Sequence, residues 1–84
     1  MVVKIDKAVF DFLLKNILAE KPDLAKRIET VEGNGKIQIS LNENAASLIR
    51  DWAGEKLQKV GFDENYELNL QGKYLEEIID LFYI

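Results

Sequence analysis

Paired carboxylates are the residues of this sequence best suited to chemistry. Glu76 and Asp80 are four positions apart, a spacing that puts both side chains on one face of a helix. Two carboxylates in different environments can divide the roles of general acid and general base, or hold a magnesium ion. Either role needs a cleft that excludes water, which the outer face of a helix does not offer. We therefore expect this pair to be solvated.

The run from Asp63 to Asn69 places oxygen-bearing side chains at alternate positions, as the start of an EF-hand calcium loop does. Such a loop also needs glycine at its sixth position and a bidentate glutamate at its twelfth. Counted from Asp63, those positions hold Leu68 and Tyr74. The sequence therefore predicts no specific calcium site.

Nucleophilic catalysis has few candidate residues in this chain. The sequence contains no histidine and no cysteine, which excludes His-dependent triads, thiol nucleophiles, zinc fingers and redox pairs. The remaining nucleophiles are the hydroxyls of Thr30, Ser40 and Ser47, for which only a lysine such as Lys36 or Lys73 offers a base. No spacing supports such a pair. We expect no catalytic residue, metal ligand or cofactor, and a protein that is not an enzyme.

Phosphate groups are also poor candidate ligands. The segment Gly33-Asn34-Gly35 lacks the Lys-Ser or Lys-Thr pair that follows the glycines of a P-loop, and no helix pattern begins directly after it. The formal net charge of −4 disfavours nucleic acid as a partner, because nonspecific affinity depends on clustered Lys and Arg. The glycines are predicted to form a turn.

Charge is distributed unevenly along the chain. Residues 1–61 hold ten Lys or Arg and nine Asp or Glu. Residues 62–84, the acidic C-terminal quarter, carry a net charge of −5, with Lys73 set against Asp63, Glu64, Glu67, Glu76, Glu77 and Asp80. A solvated helix surface is one interpretation of this pattern, and an electrostatic docking patch for a basic partner is the other.

The function class that best fits these exclusions is a non-enzymatic protein-interaction module, such as a regulator, an adaptor or an immunity-type inhibitor. Its partner would be an unidentified, basic protein. Trp52 is the one tryptophan and is either a core anchor or an interface hot spot. The candidate partner-binding residues are Glu76, Glu77, Asp80, Tyr83 and Trp52.

Two other classes remain open. One is a self-associating structural protein, a homodimer that pairs through Trp52 or through the apolar end formed by residues 82–84. The other is a carboxylate- or magnesium-dependent enzyme, which would need two acids in a deep pocket.

Length and composition indicate an ordinary globular chain. Its 84 residues, 48% of them hydrophobic, suit a single acidic domain spanning 1–84. No apolar run approaches the roughly 20 residues that a membrane span requires, and the first five residues are too short and charged for a signal peptide. We expect a cytoplasmic protein that does not bind membranes.

The elements of the first half are set by Asp6, Pro22 and the glycines. Asp6 is predicted to cap a first helix, and Pro22 to open a short second one. Residues 28–32 fit either the end of that helix or a strand, because the turn at 33–35 is followed by the alternating strand 36–41. The apolar stripe of the first helix is predicted to comprise Phe10, Leu13, Leu14, Ile17 and Leu18.

The second half is predicted to hold the longest helix, a connection and a final helix. Ser40 with Glu43, or Asn42 alone, is predicted to cap the long helix, and Gly61 to end it in the left-handed conformation. Residues 65–69 fit a short strand or a loop, and Asn69 can cap the last helix. The sequence thus predicts an α+β fold with about four helices and a small two- or three-stranded antiparallel sheet.

Overall fold

The computed structural model describes residues 1–83 as four helices and a three-stranded antiparallel sheet, which confirms the predicted α+β class. The strands are β1 (Val2–Asp6), β2 (Glu29–Glu32) and β3 (Lys36–Ser40). The helices are α1 (Lys7–Glu20), α2 (Pro22–Ala25), α3 (Glu43–Val60) and α4 (Leu70–Leu81).

The sheet has the order β1-β3-β2, so β3 is its central strand. Ile39 pairs with Val3 on one side and with Thr30 on the other, while Ile37 pairs with Ile5. Because directly opposed residues of antiparallel strands share a face, these side chains point to one side of the sheet, where Val3 is half-buried and Thr30, on the edge strand β2, is exposed. Ile5, Ile37 and Ile39 are buried there.

Strand β1 was not among the predicted elements, which began with a helix. It forms because Val2–Asp6 pairs with β3 along its whole length, a contact between distant parts of the sequence that local patterns do not reveal. Asp6 stands at the N-cap position of α1, but its side chain makes no capping hydrogen bond. Its carboxylate lies 2.8 Å from Lys36 Nζ instead, so the predicted cap was wrong.

Residues 28–32, for which the sequence allowed either a helix end or a strand, contain strand β2 at 29–32. It joins β3 through the predicted turn, in which Gly35 has a φ of 75° and the N–H of Gly33 donates to the carbonyl of Lys36 at 2.9 Å. All four residues of β2 are exposed. Strand β2 is therefore an open edge of the sheet.

The core-facing stripe of helix α1 matches the predicted one at Leu13 and Ile17, which are buried, and differs from it at Val9 and Leu18. Val9, Leu13 and Ile17 are buried, at the i, i+4, i+8 spacing of one helix face. Leu18 is 54% exposed, which corrects its predicted place in the core. Helix α2 begins at Pro22 as predicted and buries Leu24.

Helix α3 is the longest, with 18 residues. Asn42 caps it, accepting the N–H of Ala45 at 2.7 Å. The prediction of a left-handed residue at its end was wrong, because Gly61 has a φ of −83°. A Cβ at Gly61 would overlap Leu57 and lie 3.2 Å from Gly72 Cα, so glycine is required by close packing.

Residues 65–69 form a loop, and the only pairing assigned there in the described chain is one isolated bridge between Phe62 and Leu68. Asn69 caps α4 as predicted, accepting the N–H of Gly72 at 2.8 Å. Leu75, Ile78 and Phe82 bury the inner side of this segment. Helix α4 packs on α3 and α1, while α1 also packs on β1 and β3.

None of the helices in residues 1–83 has the length and apolar content needed to cross a membrane.

Candidate binding surfaces

The acidic connection before α4 is organised by the side chain of Asp63. Its Oδ1 accepts the N–H groups of Asn65 at 2.8 Å and of Glu67 at 3.0 Å. The Asp63 N–H donates to the carbonyl of Glu67 at 2.8 Å, and the Tyr66 N–H donates to the carbonyl of Asp63 at 3.0 Å. The residue that opened the calcium-like run therefore uses its carboxylate to bind the backbone of its own loop.

Tyr66 is the exposed tip of this loop. Its φ of 62° is the one positive value of a non-glycine residue among residues 1–83, and its surface is 88% exposed. The left-handed conformation costs a non-glycine residue roughly 1–2 kcal/mol. Because the residue is almost fully exposed in the described structure of residues 1–83, little packing offsets that cost. Tyr66 is thus presented to solvent by a backbone that its neighbours hold in place.

The three acids predicted on α4 face outward to different degrees. Glu76 and Asp80 are exposed, and Glu77 is half-buried. Among residues 1–83, no ion pair is found for these acids or for the acids of the preceding loop. The charge of Glu77 makes a small contribution to the raised pKa of Lys36, which is due chiefly to the hydrogen bond between Lys36 and Asp6.

Tyr83 follows α4 and is 71% exposed. The guanidinium carbon of Arg50 lies 5.6 Å from the centre of the Tyr83 ring, within the range of a cation–π contact. Arg50 also lies 3.6 Å from the carboxylate of Asp51. This edge of the acidic C-terminal quarter therefore includes a base contributed by α3.

Trp52, in contrast, belongs to the core and is only 5% exposed. Its indole N–H donates to Glu20 Oε1 at 3.2 Å, and Lys56 Nζ donates to Glu20 Oε2 at 2.7 Å. The pKa of Glu20 is lowered, mainly by the hydrogen bond from Lys56. One carboxylate thus joins the end of α1 to two successive turns of α3.

A groove of about 550 Å³ lies beside this junction, between the α1–α2 corner and α3. It is lined by Glu20, Lys21, Pro22, Asp23, Leu24, Arg27, Leu48, Asp51, Trp52 and Glu55. Sequence reasoning did not find this groove, because it arises from residues 20–27 lying against residues 48–55. The one signal available in the sequence was the spacing of Leu48, Asp51, Trp52 and Glu55 on a single helix face.

The fold does not bring together the side chains that the sequence offered as candidates for metal binding or nucleophilic catalysis. Within residues 1–83, no group of three or more acidic side chains is arranged to hold a metal ion. Lys36 and Ser40 lie on the same face of β3, but they are four positions apart in an extended strand, which separates them by roughly 13 Å. The raised pKa of Lys36 also opposes a role as general base.

Comparisons of the chain with protein-family models, curated proteins and solved structures found no match.

Proposed function

We propose that this protein is a non-enzymatic interaction module that binds a basic surface of a partner protein through its acidic C-terminal quarter. One observation carries the proposal. The same segment combines carboxylates that have no ion pair within residues 1–83 with the exposed aromatic rings of Tyr66 and Tyr83.

The two kinds of side chain have complementary roles in binding. Carboxylates at the rim of an interface attract a basic partner and raise the association rate. Tyrosine rings supply most of their binding energy once they are desolvated in a pocket of the partner. Asp63 holds the Tyr66 loop in a fixed backbone conformation, which reduces the entropy lost on binding.

A regulator, an adaptor or an immunity-type inhibitor would act in this way, by covering a basic functional surface on another protein. We place this interaction in the cytoplasm, because a small cysteine-free chain suits a reducing compartment. The net charge of −4 argues for a protein partner over a nucleic acid.

The test compares the native protein with the triple variant Glu76→Gln, Glu77→Gln and Asp80→Asn. Each protein is immobilised and exposed to host lysate, retained proteins are identified, and the affinity of the leading partner is measured with purified components at several salt concentrations. Exposed ion pairs contribute about 0.2–1 kcal/mol each, so the triple variant should bind about tenfold more weakly and with less salt dependence.

A matched control removes the same charge elsewhere, by Asp11→Asn, Glu29→Gln and Glu32→Gln. These residues are exposed and lie outside the acidic C-terminal quarter. The control should bind the partner nearly as well as the native protein does. The proposal fails if both variants bind equally well, or if both lose binding to the same extent.

Self-association and partner binding should respond in opposite directions when the acids of α4 are neutralised. A symmetric contact of the acidic C-terminal quarter with a second copy would bring like charges together, which disfavours it. Neutralising Glu76, Glu77 and Asp80 would therefore strengthen such a dimer, while it should weaken binding to a basic partner. Light scattering over a range of protein concentrations, with both proteins, distinguishes the two.

A further inference from the structure

We infer that strand β2 is a self-pairing site, through which two copies of this chain join their three-stranded sheets into one continuous sheet. This inference does not rest on the proposed function, because β2 covers residues 29–32, outside the acidic C-terminal quarter. Strand β2 is an edge of the sheet, and all four of its residues are exposed. The other edge strand, β1, runs directly into α1 and packs on that helix.

The free hydrogen-bonding groups of β2 belong to Thr30 and Glu32. In the hairpin, the Gly33 N–H donates to the carbonyl of Lys36, and bonding to the neighbouring strand recurs at every second residue of an antiparallel strand. Val31, two positions before Gly33, therefore bonds to β3. The N–H and C=O groups of Thr30 and Glu32 point away from the sheet, and outside the sheet neither residue makes a backbone hydrogen bond within residues 1–83.

An antiparallel second copy of β2 satisfies all of these groups in one register. In that register Thr30 of each copy lies opposite Glu32 of the other, so four backbone hydrogen bonds form across the new contact. A two-fold axis then passes between the two Val31 residues, as a symmetric dimer requires. The strand is therefore complementary to itself, which is why the occupant we infer is a second copy.

The neighbouring registers are less favourable. A shift of two residues in one direction places the two Glu32 side chains opposite each other, and like charges in that position are destabilising. A shift of two residues in the other direction places Glu32 opposite Ile28, whose N–H is already donated to the carbonyl of Ala25 at 3.3 Å. Both shifts lose part of the contact that the symmetric register makes.

The side chains of β2 fit the symmetric register. Val31 is 65% exposed and would contact its own copy across the two-fold axis, which removes two apolar side chains from water. Glu29 would lie opposite Gly33, and Glu32 opposite Thr30, so no two acids are directly opposed. Acidic side chains commonly prevent the pairing of edge strands, but in this register they do not meet.

The contact is short, so the dimer should be weak and transient. Each copy has a formal net charge of −4, and the resulting repulsion opposes association. Added salt screens that repulsion and should therefore favour the dimer. Binding of a basic partner by the acidic C-terminal quarter should show the opposite dependence on salt.

Single introduced cysteines test the register directly, because the chain has no cysteine of its own. Val31→Cys places two thiols across the two-fold axis, with Cα atoms about 4.5 Å apart, which is within the range of a disulfide. Glu29→Cys is the matched control on the same exposed strand, because its two copies would lie four positions, or roughly 13 Å, apart along the strands. With the oxidant diamide, Val31→Cys should form covalent dimers about tenfold faster than Glu29→Cys.

Charge at position 30 tests the same register. Thr30→Lys places an ammonium group opposite Glu32 of the second copy, and Thr30→Glu places a carboxylate there. In the Val31→Cys background, the lysine should speed cross-linking and the glutamate should slow it, each by about threefold. Gln71→Lys and Gln71→Glu, at an exposed position of α4, change the net charge equally and should have smaller effects. All these positions are exposed, so each variant should keep the fold.

Three results would overturn the inference: equal cross-linking rates for Val31→Cys and Glu29→Cys, effects of the Thr30 variants no larger than those of the Gln71 variants, or slower cross-linking of Val31→Cys at higher salt. Failure of the acidic C-terminal quarter to bind a partner would leave the cross-linking unchanged, so the two proposals can fail separately.

Discussion

The carbonyl oxygen of Gly61 lies so close to Gly72 that a side chain at position 72 would overlap it. Both glycines are buried, and they bring the end of α3 against the first turn of α4. The obstructing atoms belong to the backbone, so they cannot rotate away as the end of a flexible side chain can. The contact between the two helices therefore depends on the absence of a methyl group at either position.

Gly72→Ala should lower the free energy of unfolding by about 2 kcal/mol, because the added methyl forces the two backbones apart. Gly54→Ala is the matched control: it makes the same chemical change inside α3, where a Cβ would meet no atom within 4 Å. That control should raise stability by about 0.5–1 kcal/mol, since alanine loses less backbone entropy in a helix. Urea unfolding of both variants measures the difference, and equal effects would contradict the close approach.

Asn69 should contribute more to stability than an ordinary helix cap. Its Oδ1 accepts the Gly72 N–H, and its Nδ2 donates to the carbonyl of Val60 at 2.7 Å. Asn69→Ala loses both bonds and should cost about 2 kcal/mol, whereas Asn42→Ala loses one cap and should cost about 1 kcal/mol.

The variant Asn69→Asp tests the two side-chain hydrogen bonds of Asn69 independently. The aspartate retains the cap but loses the donor to Val60, so its stability in urea unfolding should lie between those of the native protein and Asn69→Ala. Stability equal to that of the native protein would show that the bond to Val60 contributes nothing.

Tyr66→Gly should raise the free energy of unfolding by up to about 1 kcal/mol. Glycine adopts the positive φ without the strain of about 1–2 kcal/mol, although it loses part of that gain to backbone entropy. Tyr66→Ala removes the same exposed ring but keeps the strain, so its thermal melt should match that of the native protein. Alanine and glycine variants of equal stability would argue against strain at this position.

The ion pair of Glu20 should make a small contribution to stability that depends on pH. In the folded protein the pKa of Glu20 is lowered from its ordinary value of 4.5. Between the folded and the unfolded pKa, unfolding takes up a proton, so the free energy of unfolding decreases as the pH decreases. The contribution is fully present above the ordinary value of 4.5 and is lost as pH falls through the lowered pKa.

Glu20→Gln tests this dependence, because glutamine keeps an oxygen for the Trp52 indole but loses the charge that attracts Lys56. The native protein should exceed the variant in urea-unfolding stability at pH 6, and the difference should shrink at pH 3. A difference that stays constant between these two pH values would assign the effect to packing.

The sequence was most informative where structure depends on neighbouring residues. The cap residue Asn69, the turn at 33–35 and the start of α2 at Pro22 were predicted correctly from local chemistry, and Asn42 was one of the two caps predicted for α3. The sequence predicted a left-handed conformation as the reason for glycine at position 61, whereas close packing against Leu57 and Gly72 is the reason in the structure. The substitution Gly61→Val should still be destabilising, because a Cβ there would lie 2.7 Å from the carbonyl oxygen of Leu57.

Features that join distant residues were not predictable in this way. Strand β1 exists through its pairing with β3, and nothing between residues 2 and 6 specifies that partner. The hydrogen bond from Trp52 to Glu20 spans 32 positions, and the groove beside it depends on how α2 lies against α3. Glu76 and Asp80 are exposed on α4, but the lack of ion pairs to the α4 acids within residues 1–83 depends on which bases the fold brings near.

The strand order β1-β3-β2 has a consequence for the path of folding. Strands β2 and β3 close a hairpin in which Glu32 pairs with Ile37, and such hairpins form in about 1–10 μs. Strand β1 pairs Ile5 with that same Ile37 from the far side of α1 and α2, which requires a much longer loop to close at a higher entropic cost. We therefore expect the hairpin to provide a template on which β1 docks late, and substitutions in β1 to speed unfolding more than they slow folding.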